Sequence, residues 1–148
     1  MRFVLKGTST GLRVKMSKPK PLTNKQKDIL RELLPKVIKK FAHDNEDHVS
    51  DNKSYFDVWL EMPNMPQSYV SLGFTPEKEP LYWWVPPVTD WRLNTYKARG
   101  YDDSYKSGLW KYVDIKKEFW SQAPSVQESW LIKLFEELLH EDEELRGM

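Results

Sequence analysis

The sequence contains no cysteine, which removes disulfides, zinc-thiolate sites, iron–sulfur clusters and thiol nucleophiles together. No apolar run approaches the roughly 18 residues needed to cross a bilayer, so no membrane association is expected. The opening Met1-Arg-Phe-Val-Leu-Lys6 is interrupted by charge and by Gly7 before it could act as a secretory apolar core. A cytoplasmic, soluble protein is the expectation. No G-x-S-x-G elbow is present, and Gly7-Thr-Ser-Thr-Gly11 lacks the Gly-Lys-Ser/Thr ending of a phosphate-binding loop. Of the three histidines, His43 and His48 lie among Asp44, Glu46, Asp47 and Asp51, but an EF-hand's central glycine and terminal glutamate are missing. No metal and no cofactor are expected.

The 148 residues, 39% hydrophobic and 30% charged, suit one globular domain over 1–148. A net charge of +1 conceals a polarity. Residues 1–40 carry twelve Lys/Arg against Asp28 and Glu32, whereas 41–80 and 121–148 are acidic. The basic and acidic ends are expected to meet in the fold and neutralise each other.

Periodicity predicts an α+β fold. Arg2–Lys6 and Leu12–Met16, around a loop bounded by glycines, read as an N-terminal hairpin. After the connector Ser17-Lys-Pro-Lys-Pro21, a four-residue apolar beat from Ile29/Leu30 to Phe41 predicts a helix capped by Thr23 and kinked at Pro35. Strict alternation predicts two strands, the first with Phe56, Val58, Leu60 and Met62 on its core face and the second with Val70, Leu72 and Phe74 on its core face. Their opposite faces would show Tyr55, Asp57, Trp59 and Glu61 beside Tyr69, Ser71 and Gly73. Met62-Pro-Asn-Met-Pro66 reads as too rich in proline for a tight two-residue turn.

A third strand covers Leu81–Val85, and 86–109 reads as a long ordered loop with room for a short helix. A further strand over Trp110–Ile115 and a helical turn over Lys116–Gln122 follow. Ser125-Val-Gln-Glu128 reads as a capping box opening a last helix whose stripe is Val126, Trp130, Leu131, Leu134, Phe135, Leu138 and Leu139. Its acidic end, Glu141-Asp-Glu-Glu144, should fray against the helix dipole unless a basic group holds it. The expected architecture is a small antiparallel or mixed sheet, made of the hairpin and about three further strands, packed against these two helices.

Eleven of the twenty aromatic residues fall between Tyr82 and Trp120. Such a density marks a core or a recognition surface. Trp84, Trp91, Tyr96, Arg99, Tyr101 and Tyr105 are the candidate anchors for a protein partner. The reading that follows is a small non-enzymatic binding protein of inhibitor, immunity or adaptor type, in the manner of bacterial or phage accessory proteins. The alternative is nucleic-acid binding, with Arg2, Lys6, Arg13 and Lys15 of the hairpin neutralising phosphates and rings of the aromatic stretch, interleaved with Lys97, Arg99, Lys106 and Lys111, stacking on bases. A third reading is a metal-dependent nuclease. Asp114 and an upstream acid such as Asp90, Asp102 or Asp103 would hold the ion, and Lys116 would orient water. Asp57 and Glu61, four residues apart on a strand, would stand about 13 Å apart, too far for a glycosidase pair.

Overall fold

Thr23 opens the first helix, α1 (Asn24–Ile38), through a complete capping box: its hydroxyl accepts from the Gln26 amide, and the Gln26 side chain accepts from the Thr23 amide. This computed structural model describes residues 18–52, 55–76, 79–104 and 108–147. The expected hairpin, with Arg2, Lys6, Arg13 and Lys15, lies outside the described residues, as do Tyr105 and Lys106. Pro35 sits inside α1, and the apolar phase crosses it: Leu30, Leu33, Leu34, Val37 and Ile38 are all buried.

Six strands follow: β1 (Val49–Asp51), β2 (Phe56–Met62), β3 (Met65–Phe74), β4 (Tyr82–Val85), β5 (Asp102–Ser104) and β6 (Gly108–Tyr112). They form one antiparallel sheet in the order β1-β2-β3-β4-β6-β5. The turn between β2 and β3 is the two-residue Pro63-Asn64, since Met62 pairs with Met65. This corrects the expectation of a longer connection. Proline's fixed φ presets the first turn position, so Pro63 favours the tight turn it was read as opposing. The register also shifts between Glu61 and Met62, and the Glu61 carboxylate accepts from the Gln67 amide.

The stretch read as a loop over 86–109 contains a nine-residue helix, α2 (Asp90–Ala98), and strand β5. The strand expected over 110–115 begins earlier and ends at Tyr112, followed by a 3-10 turn over Lys117–Ser121. The last helix, α3 (Pro124–Arg146), starts with proline at its first turn and Ala123 as its cap, so Ser125 lies within the helix and makes no cap. Proline is well placed there because its missing N–H would have had no helical partner. Gln127 fixes this end from inside, its amide donating to the Phe119 carbonyl at 3.0 Å.

The core lies between one face of the sheet and the helices. Phe56, Val58, Leu60, Val70, Leu72 and Phe74 are buried as the alternation predicted, and Trp83 and Val85 join them. α1 packs on β2 and α3, and α3 packs on α2 and the 3-10 turn. Phe135 of α3 lies under the sheet, its ring 5.4 Å from Trp83 and 4.8 Å from Phe41. The buried stripe of α3 runs through Leu131, Phe135 and Leu138, while Leu134 is only half-buried. The basic and acidic ends meet where α1 packs on α3, but the ion pairs of α1 among the described residues run elsewhere. Lys27 and Arg31 of α1 pair with Glu79 and Asp51, from the acidic middle of the chain, and no ion pair joins α1 to α3 among the described residues. No helix among them is long and apolar enough to cross a membrane.

Candidate functional site

Because the described helices pack on one face of the sheet, the strand register alone determines what the other face displays. Trp59 pairs with Ser71, Ser71 with Trp84, and Trp84 with Trp110. The adjoining row sets Asp57 opposite Gly73, Gly73 opposite Tyr82, and Tyr82 opposite Tyr112. Glu61 faces Tyr69 at one end, and Asp102 faces Trp110 at the other. One surface thus gathers three indoles and three phenols with three carboxylates. No lysine or arginine of the described strands points to it.

The rings on this face meet edge to face, the arrangement that ring quadrupoles favour. Trp59 and Tyr69 are 5.2 Å apart, Trp110 and Tyr112 4.8 Å, and Tyr82 and Trp110 6.5 Å. Trp84 is half-buried and lies against Gly108, where a Cβ would come within 2.6 Å of the indole and 2.3 Å of the Val85 carbonyl. Gly108 also holds φ at +153°, which side chains rarely adopt, so glycine is needed there on both counts. Asp57 sits among these groups, and burial pushes its carboxyl above the usual carboxylate range against an opposing hydrogen bond with Ser50. Lys18 stands 5.8 Å from the Tyr112 ring.

Several aromatics of the sequence candidates are elsewhere. Tyr96 and Tyr101 are fully buried and stack edge-on at 5.1 Å, on the helix side of the sheet. Tyr96 donates to Asp142 at 2.8 Å and Tyr101 to Glu141 at 2.9 Å. Burial, reinforced by the facing carboxylates, raises both phenols well above their ordinary range, so they remain protonated donors. Their rings are core, not surface. The acidic end of α3 accordingly does not fray. Arg146 bridges Asp142 at 2.8 Å and the Pro86 carbonyl at 2.7 Å, Lys111 and Arg99 pair with Glu141, and Gly147 closes the helix in the left-handed conformation. Arg92 of α2 donates to the Leu145 carbonyl.

Trp91 lies in the first turn of α2 and is 72% exposed, with the Arg92 guanidinium over its ring at 4.2 Å. Trp91→Ala is therefore expected to change the unfolding free energy by less than ~0.5 kcal/mol, the range of surface substitutions, as read from a urea titration. Three of the four cations expected to lie between stacking rings are engaged: Lys97 with Asp103 at 3.4 Å, and Arg99 and Lys111 with Glu141 at 3.5 and 2.7 Å.

Asp114 and Lys116 are exposed and border an open hollow of about 500 Å³ with Lys20, Lys117 and Trp120. Asp102 is in register with Trp110, four residues before Asp114, which lies beyond the end of β6. Among the described residues no three histidines or carboxylates come together in a way that could hold a metal ion. The aromatic face was half visible in sequence through the alternation of β2 and β3. Its other half depends on β4 pairing with β6, which no local pattern announces. Compared with known protein families, curated proteins and solved structures, the chain matches none.

Proposed function

We propose that the chain is a non-catalytic binding protein that docks a lysine- or arginine-bearing segment of a protein partner on the aromatic face of its sheet. The observation that carries this reading is the composition of that face: Trp59, Tyr69 and Trp84 accompanied by Asp57, Glu61 and Asp102, with no lysine or arginine of the described strands on it and Lys18 at its Tyr112 edge. Indole and phenol rings supply large, stiff contact area, and their faces attract cations. Carboxylates beside them give the surface a sign, which steers a basic partner and repels an acidic one.

The same composition disfavours nucleic acid here. Stacking surfaces for single strands combine rings with cations that neutralise phosphate, whereas carboxylates would repel it. Of the cations nearest the aromatic stretch, Lys97, Arg99 and Lys111 are held in ion pairs.

The test uses short synthetic peptides of equal apolar content that are basic, neutral or acidic, together with a single-stranded oligonucleotide, each titrated calorimetrically against the full chain. Basic peptides are expected to bind best. Trp84→Ala is expected to weaken them by ~tenfold or more, the effect of an interface anchor. Asp102→Lys, at an exposed position, should reduce the preference for basic over acidic peptides without changing the melting temperature. Equal binding of all three peptide classes would overturn the reading. Binding of the oligonucleotide alone, with affinity falling steeply as salt rises, would replace it with nucleic-acid recognition.

A further inference from the structure

His48 is buried just before β1, and both of its ring nitrogens face acceptors. Nδ1 lies 3.0 Å from the Trp59 carbonyl oxygen, and Nε2 lies 2.8 Å from Asp44 Oδ1. A neutral imidazole has one N–H and one bare lone pair, so it can satisfy only one of these acceptors. The imidazolium satisfies both. The His48 carbonyl in turn accepts the Trp59 amide at 3.0 Å, so His48 holds the backbone of Trp59 from two sides. Its ring is 4.7 Å from the Trp59 indole, which stands edge-on to Tyr69 on the aromatic face.

We propose that His48 is a proton-operated latch: as the imidazolium it ties the 43–48 loop to β2 and sets the position of the Trp59 ring, and on losing one ring proton it can hold only one of Asp44 and the Trp59 carbonyl. The latch rests on this local geometry and does not depend on what binds the aromatic face.

Three elements surround the ring. The loop contributes His43, Asp44, Glu46 and Asp47; α1 and the turn after it contribute Lys39 beside Pro35 and Ile38; β2 contributes the Trp59 carbonyl and indole. Asp47 is engaged by the Val49 amide, and Asp44 Oδ1 also accepts from the Glu46 amide. Lys39 is thus the one fixed cation in this set, set against three carboxylates. Burial lowers the histidine's pKa, but the hydrogen bonds to Asp44 and Trp59 and the charges of Asp44 and Glu46 outweigh it and raise the value above 6.5. The bond from His48 holds Asp44 below its usual 3.8.

The direction of the pH effect follows. A histidine whose folded value is raised stabilises the fold fully below 6.5, and that contribution disappears as pH rises through the folded value. Asp44, held low, stabilises above 3.8 and ceases to do so only as pH falls through its depressed value. The latch is therefore closed in mild acid and opens on the alkaline side of 6.5.

The experiment is fluorine NMR of the full chain carrying 5-fluorotryptophan, with Trp59 assigned through Trp59→Phe, alongside the proton titration of the His48 ring from about pH 5 to 9. Both signals are expected to share a midpoint above the ordinary histidine value. Asp44→Asn, at an exposed side chain, should move both midpoints down together. His48→Gln, which hydrogen-bonds but does not titrate, should leave the fold intact by circular dichroism and make the Trp59 signal independent of pH. A His48 midpoint at or below the ordinary value would overturn the proposal. So would a Trp59 signal that stays fixed across the range, or one whose midpoint ignores Asp44→Asn.

Discussion

Phe135→Ala is expected to lower the unfolding free energy by about 3–5 kcal/mol, the cost of removing a buried aromatic ring and leaving a cavity. Phe135 is wholly inaccessible and holds the junction of three elements: its ring contacts Phe41 after α1 and Trp83 in β4. Guanidinium titration should show the midpoint falling with the slope unchanged, because the surface exposed on unfolding is nearly the same. Leu134→Ala next to it should cost less, about 1–2 kcal/mol, since that side chain keeps part of its surface in water. Equal losses at the two positions would mean that α3 is rotated from the orientation described.

Asp142→Ala is the second large effect, expected at about 3–5 kcal/mol, the usual cost of breaking a buried ion pair from one side. The carboxylate is 1% exposed and its partner Arg146 8% exposed, and the substitution leaves that guanidinium without its counter-charge and takes away the nearer acceptor of the Tyr96 hydroxyl. Replacing both charges, as Asp142→Leu with Arg146→Met, should recover most of the loss. Hydrophobic substitutes of similar volume avoid the desolvation that the pair must offset. A double variant as unstable as the single one would show that the bonds from Arg146 to the Pro86 and Pro87 carbonyls carry the stability instead.

The two variants also mark what was legible in the sequence. The stripe containing Phe135 recurs at helical spacing, and α1, β2 and β3 likewise state their periods openly because each buries one face and exposes the other. α2 does not. Tyr96 is its one buried residue, so no amphipathic pattern exists to be read; what holds the helix is the long-range bonding of Tyr96 and Arg92 to α3. Ser125 misled for the opposite reason, since a good local capping signal was overridden by Pro124 and by Gln127 reaching back to Phe119.

The aromatic cluster divides along the same line. Strand alternation separates Trp83 from Trp84, one to the core and one to the aromatic face, and the pattern states this directly. The burial of Tyr96 and Tyr101 was not, because it depends on carboxylates some forty residues away in the acidic end of α3. That acidic run read as a liability of the helix dipole. In the fold it supplies the acceptors for two buried phenols and the partners for Lys111, Arg99 and Arg146.

The packing of α1 against α3 has a consequence for how the chain is made. Synthesis delivers α1 before the described strands and its helical partner α3 after them. The meander β2-β3-β4 can pair as soon as it emerges, since its contacts are short in sequence. Leu33, Leu34, Val37 and Ile38 must meanwhile share the unfinished sheet until residues 124–146 leave the ribosome. A nascent chain stalled before Pro124 would display that apolar stripe and the bare underside of Trp83, the kind of surface that chaperones hold and that aggregates when they do not.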